Sequence, residues 1–393
     1  MEQSQSQNEE FPWEIGVYDA HCHPTDTMSS IADIPRMKAT TLTVMSTRGE
    51  DQDLVQKIAN DLAKDFPATE KHPPRILPCF GWHPWFSHRI LDDAADSTDP
   101  GIGESAAEVK KAHYSKVLKP SPDDAFISTL PEPKPLSQLI SETRSRLLAF
   151  PTALVGEVGL DRAFRLPQAW TQEDIDARSA EMTPGSREGR RLSPYVVRIE
   201  HQKAILEAQL RLAGELHRPV SVHSVQGHGA VVELFKTLWK GHERKVASRR
   251  EMKRRQSVDG AHAGSDAEGD EDGESLSDGQ VKQPLPFPPR ICMHSYSGPV
   301  ETIGQFLHRS NPSDVYFSFS DVVNFGHQSD KSVAVIKALP DDRVLIESDL
   351  HTAGDEMDKR LEQVTRQVCG LRGWELKQGV QQLADNWKRF VYG

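Results

Sequence analysis

The chain has 393 residues, with 47 basic against 58 acidic side chains and a net charge of −11. A mean hydropathy of −0.57 and a hydrophobic share of 37% are low for an enzyme of this size, so polar segments dilute an ordinary core. No run approaches the roughly 18 apolar residues of a membrane span, residues 1–10 are polar and acidic rather than signal-like, and the acidic balance argues against a chain-wide nucleic-acid surface.

Short apolar runs bounded by turn residues recur at 15–18, 41–45, 75–80, 153–158, 219–222, 290–293, 315–319 and 343–346. Helical periodicity lies between most of them. Leu54, Ile58 and Leu62 share one face of a helix over 51–66. Ile199, Leu206, Leu210 and Leu212 mark a helix over 194–216, and Val300, Ile303 and Leu307 one over 299–307. Eight strands alternating with helices predict an α/β fold, a TIM (β/α)8 barrel with long polar loop insertions. A doubly wound sheet is the alternative, but no GxGxxG or GxxxxGK[ST] motif is present.

Polar excursions run over 92–135 and 168–191, both read as loops on one scaffold. A third runs over 241–289. It holds a basic block, an acidic stretch with eight acids between Asp259 and Asp278, and a proline-rich exit. Such composition buries too little surface to offset backbone ordering, so 241–289 reads as a disordered charged insertion. Its basic block is a place for a protein partner or a nuclear-import signal, and Arg254-Arg255-Gln256-Ser257 resembles a basic-directed kinase site. The four cysteines lack CxxC spacing and fit reduced thiols of an intracellular protein. With no signal and no span, the expected address is cytoplasm or nucleus.

Catalytic groups of such barrels project from the C-terminal strand ends. Strand one ends in Asp19-Ala-His21-Cys-His23. The histidines are two apart, so they face one side and suit a zinc-like ion. Strand four carries Glu157 inside an apolar run, which is costly unless it is paired or metal-bound. Strand five ends at His223, strand six at His294, and strand eight at Asp349 followed by His351. Singly, each is more often a satisfied polar residue. Together, His21, His23, Glu157, His223, His294 and Asp349 form a set for two divalent ions, with Glu157 able to bridge.

In this order the motifs resemble the TatD-type metal-dependent hydrolases of the amidohydrolase superfamily. The matching pieces are Asp19-Ala-His21-Cys-His23, Gly81-Trp-His83-Pro84, Gly156-Glu157-Val-Gly-Leu-Asp161, Pro219-Val-Ser-Val-His223, His294-Ser-Tyr-Ser-Gly298, Glu347-Ser-Asp349 and Asn386-Trp-Lys-Arg-Phe390. The long insertions and His351 are most like the divergent fungal branch described as Cut9-interacting, Scn1-like. The resemblance implies one hydrolase barrel over 14–393 behind a flexible N-terminus at 1–13. It implies two divalent ions (Zn2+, Mg2+ or Mn2+) acting on ester bonds, with DNA or another phosphodiester as substrate. By similarity His21, His23 and Asp349 hold one ion, and Glu157 bridges to another held by His223 and His294. Asp349 orients the attacking water and takes its proton, and His83 contacts substrate phosphate. His351 is a further candidate substrate contact, and Asp161 orients a ligand or an adjacent loop.

Two departures bear on activity. Many family members carry Arg two positions past the fifth-strand His, whereas Val225 stands here. The eighth-strand motif reads Ser348-Asp349-Leu350-His351. Arg162, Arg165 or loop lysines are the expected replacements for that charge. Two alternatives accompany the hydrolase reading. One is a catalytically weak barrel serving as a scaffold. The other is a C–N or lactone hydrolase, in which a carboxylated Lys often stands where this chain has Glu157.

Overall fold

The computed structural model describes residues 9–69, 73–93, 105–246, 283–326 and 329–393. Eight parallel strands pair in chain order: β1 (Tyr18–Cys22), β2 (Thr41–Met45), β3 (Ile76–Phe80), β4 (Leu154–Asp161), β5 (Val220–Val225), β6 (Arg290–Met293), β7 (Asp314–Phe319) and β8 (Val344–Ile346). Asp349 N–H donates to His21 O at 3.0 Å and His23 N–H to Leu350 O at 2.8 Å, so the first and last strands meet and the ring nearly closes. The Asp19 carboxylate reinforces this seam, accepting from Ser348 N–H at 3.0 Å and from its hydroxyl at 2.5 Å. The TIM-barrel expectation is met.

The barrel strands are buried along nearly their whole length, as parallel sheets covered by helices must be. Apolar side chains such as Val44, Val222 and Phe317 join the large core shared with the helices. Tyr18, Ala20, Met45, Leu77, Leu154 and Leu345 form a separate cluster with residues of the last helix, Leu376–Tyr392. Trp387 of that helix is 1% exposed, stacks on Tyr18 at 4.4 Å and plugs this cluster.

Several boundaries differ from expectation. Strand one begins at Tyr18 rather than residue 15, because Trp13–Ile15 is a 3-10 turn that ends at Gly16 with φ 107°. The first long helix is Gly49–Asp65. The helix expected from residue 194 begins at Ile199, since Val196–Val197 pairs antiparallel with Leu118–Lys119. The flexible N-terminus expected over 1–13 does not reach Phe11, which is buried and carries the Arg366 guanidinium over its ring at 5.3 Å. Residues 1–8 lie outside the described residues.

The 92–135 excursion holds structure of its own. Helix Ala106–Val117 opens on a capping box, with Ser105 and Glu108 satisfying each other's N–H groups. Helix Asp124–Thr129 opens on Asp123. Tyr114, Val117 and Ile127 bury against Leu166 and Val197 in a small separate core. The charged insertion falls mainly on 247–282, including Ser257, outside the described residues. Its downstream end belongs to the body: Phe287 is buried and Leu285 N–H donates to Gly214 O.

Candidate metal centre

The six predicted ligands converge at the C-terminal strand ends. His21 Nε2 and His23 Nε2 lie 3.1 Å apart. Glu157 Oε2 is 3.5 Å from the first and 3.4 Å from the second. Asp349 Oδ1 is 3.9 and 3.7 Å from the same nitrogens. The other Glu157 oxygen, Oε1, faces a different pair: His223 Nδ1 at 2.9 Å and His294 Nε2 at 2.8 Å. One carboxylate thus presents Oε2 to His21 and His23, and Oε1 to His223, His294 and also His83.

Backbone geometry enforces this closeness. Gly159 on β4 pairs with His223 on β5. A Cβ at Gly159 would sit 2.0 Å from His223 O, at a φ of +154°. Only glycine permits that approach. Asp349 itself has φ 53°, a left-handed conformation uncommon for a side-chain-bearing residue and typical of strain kept at functional positions.

Outer partners aim the imidazoles. His21 Nδ1 lies 2.9 Å from Ser221 Oγ. His223 Nε2 lies 3.2 Å from Asp161 Oδ2, which also accepts from the Trp85 indole N–H at 2.6 Å. The predicted orienting role of Asp161 fits this arrangement. His294 Nδ1 faces Glu347 Oε1 at 3.7 Å. Glu347, wholly buried, accepts from Ser295 N–H at 2.8 Å and from the Ser295 and Ser318 hydroxyls.

The electrostatics suit cations. Burial opposes ionisation of Glu157, but His83, His294 and His21 outweigh it and hold the carboxyl well below its ordinary value. Burial, with His21 nearby, holds His23 well below its ordinary value, so it is neutral and free to donate a lone pair. Burial also opposes protonation of His294 and His223. Glu157 with Glu347, and Asp161 with Glu157, nonetheless raise them. A cation entering there would take the place of those protons. Burial, helped by Glu347 and Glu157, raises Asp349.

The two predicted substrate contacts differ in exposure: His351 is exposed and His83 is buried. His83 is 3% exposed. Its Nδ1 accepts from Trp85 N–H at 3.1 Å, which leaves the proton on Nε2, 3.1 Å from Glu157 Oε1. It therefore braces the shared carboxylate. Burial keeps it neutral, with its pKa lowered to about 4. His351 stacks on His23 at 5.2 Å, and its Nδ1 lies 2.7 Å from Asp26 Oδ2. Arg48, 2% exposed, clamps the other Asp26 oxygen at 2.8 Å. Arg162 and Arg165 are exposed.

Glu347, Asp26 and Arg48 were not singled out as site residues from sequence. Glu347 carried a usable signal: an acid at the end of an apolar strand, the feature that marked Glu157. Arg48 and Asp26 carried none, because their partners are distant in sequence.

A family model described as TatD related DNase matches residues 18–392. The Cut9-interacting protein scn1 of Schizosaccharomyces pombe is 34% identical over 375 residues, covering 95% of this chain and 98% of that protein. An uncharacterized deoxyribonuclease of Saccharomyces cerevisiae, YMR262W, is 25% identical over 393 residues, covering 95% and 99%. The crystal structure of an uncharacterized Saccharomyces cerevisiae amidohydrolase superposes with a TM-score of 0.54 at 12% identity, covering 95% and 99%, and shares the fold. The barrel, the strand-end motifs and a family match over nearly the whole chain agree: this chain belongs to the TatD-related DNase family of hydrolases.

Proposed function

We propose that the chain is a divalent-metal-dependent phosphodiesterase, acting on DNA or a related phosphodiester. The observation that carries this is the Glu157 carboxylate, whose two oxygens face the His21–His23 and His223–His294 pairs separately. His21, His23 and Asp349 would hold one ion, and His223 and His294 the other, with Glu157 shared; the ions are Zn2+, Mg2+ or Mn2+. Bound there, they would supply Lewis acidity and lower the pKa of a nearby water.

The side chains do the rest. Asp349, raised by burial and its carboxylate neighbours, is suited to accept a proton from water at its Oδ atoms. Ser295 Oγ, whose proton goes to Glu347, lies 3.3 Å from Asp349 Oδ2. His83 and Asp161 hold Glu157 and His223 in place. His351 and Asp26 sit at the rim, where His351 remains the proposed substrate contact.

Purified protein supplied with Mn2+, Mg2+ or Zn2+ should cleave single-stranded DNA or a nitrophenyl phosphodiester. Asp349→Asn should lose that turnover while keeping its melting temperature. Equal inertness of both proteins, with metal shown bound by mass spectrometry, would overturn the reading.

A second reading has its own support. Val225 stands where many relatives carry Arg, and a 34% identical relative is named as Cut9-interacting. A barrel that binds a protein partner is therefore a proposal alongside catalysis, with the charged 241–289 segment as the contact.

A further inference from the structure

A recess of about 420 Å3 opens beside the metal centre, within the range of small-ligand pockets of about 300–1,000 Å3. Its walls come from the turn after β3, the loop after β4, the helical 105–135 insertion and the 168–191 loop. Trp85 separates it from the metal centre. The Trp85 ring stacks on Phe164 at 4.7 Å and 11°. Its N–H donates to Asp161, which holds ligand His223. Trp170 forms another wall and is overlaid by Arg190 at 4.2 Å and Arg178 at 5.5 Å.

The charge of this recess opposes that of the chain. Arg89, Arg178, Arg187 and Arg190 line it against only Glu50 and Glu188. Glu50 pairs with Arg89 at 2.9 Å and Glu188 with Arg178 at 2.5 Å. Arg187 and Arg190 form no ion pair among the described residues, their guanidinium contacts going to backbone carbonyls. Trp85, Phe126, Phe164 and Trp170, beside guanidinium groups that form no ion pair among the described residues, match a planar ring that carries a phosphate. The volume suits one unpaired nucleotide and excludes a duplex.

We propose that this recess is a nucleotide subsite, taking an aromatic base and its phosphate from a single strand whose next linkage lies over the metal centre. The proposal rests on the phosphodiesterase reading above and deepens it. It places the positive charge missing at Val225 on the neighbouring wall, on residues other than Arg162 and Arg165.

The test is titration of tryptophan fluorescence in chelator with four probes: deoxyadenosine 5′-phosphate, abasic deoxyribose 5-phosphate, inorganic phosphate and single-stranded oligothymidylate. The nucleotide should bind at least about tenfold more tightly than the abasic phosphate, the scale of one base–aromatic stack. Phe164→Ala and the exposed-site variant Arg187→Ala should each weaken nucleotide binding about tenfold. With Mn2+ they should raise KM for oligothymidylate and leave hydrolysis of methyl p-nitrophenyl phosphate unchanged. Equal binding of nucleotide and abasic phosphate, or unaltered binding by both variants, would overturn the subsite. An oligonucleotide that binds at least as tightly as the mononucleotide supports a strand. One that fails to displace it refutes the strand and leaves free nucleotides. If neither substrate is hydrolysed but variant-sensitive binding persists, the phosphodiesterase reading fails and the pocket stands.

Discussion

Replacing Glu347 by Gln isolates one carboxylate from its surroundings. The side chain is wholly buried, and its Oε1 lies 3.7 Å from His294 Nδ1. With Nε2 of His294 turned to the centre, Nδ1 carries a proton toward Glu347, and this charge keeps the ring aimed and electron-rich. Loss of such an outer carboxylate typically lowers metal affinity about 10- to 100-fold, or about 1.4–2.7 kcal/mol. The fold should lose less. Gln keeps one acceptor for Ser295 N–H and its hydroxyl, and the Ser318 hydroxyl can rotate to accept from the new amide. Three charge-assisted bonds become neutral, but the penalty of burying the carboxylate charge disappears with them, which leaves a net cost of about 1 kcal/mol. Chelator competition for Mn2+ or Zn2+ measures the first quantity and urea denaturation of the metal-free protein the second. Unchanged affinity in Glu347→Gln, beside abolished binding in Glu157→Gln, would refute the argument that Glu347 acts through His294.

Gly159→Ala should disrupt the site more than it disrupts the barrel. The added methyl meets His223 O at 2.0 Å, so β4 and β5 must part at the ligand, and metal stoichiometry by mass spectrometry should fall. Trp387→Ala should cost about 3–5 kcal/mol in urea unfolding, because the indole is fully buried against Tyr18 and nothing nearby can fill its volume. Burial holds His88 well below its ordinary value, so the folded protein resists its protonation while the unfolded chain accepts the proton near pH 6.5. Stability from this group is therefore complete above pH 6.5 and is lost as pH falls below it, at about 1.4 kcal/mol per unit. His88→Gln should flatten the stability–pH slope between pH 6.5 and 5 by that amount, and an unchanged slope would show that another group is responsible.

What sequence order revealed here, and what it did not, follows from the range of each interaction. All eight strand positions were legible from apolar runs: two match as read, at 41–45 and 290–293, and five needed only small shifts at their ends. The eighth, β1, moved because Gly16 interrupts the run and makes Trp13–Ile15 a turn. The clustering of the six candidate ligands was legible because each lies in or just after an apolar strand of a fold whose strand ends share one face. The helices within 92–135 were obscured by proline and serine, since their stability comes from caps and from Tyr114 burying against Leu166 and Val197. The role of His83 depends on which ring nitrogen meets Trp85 N–H, a detail no spacing encodes.

The same reasoning bears on the charge missing at Val225. From sequence, Arg162, Arg165 or loop lysines are the candidates to replace it. The chain instead gathers Arg187 and Arg190 from a polar loop that composition alone marks as solvent-facing. A loop of mixed charges reads as neutral filler until its acids are matched with their partners. Glu188 faces Arg178 and Glu50 faces Arg89, and these pairings leave Arg187 and Arg190 without an ion pair among the described residues, in a recess lined by Trp170 and Trp85. Net charge could not show this, since it sums over pairs that cancel locally. The −11 of the whole chain and an arginine-lined recess beside its candidate metal centre are compatible because electrostatic recognition is decided within about a Debye length, roughly 8–10 Å.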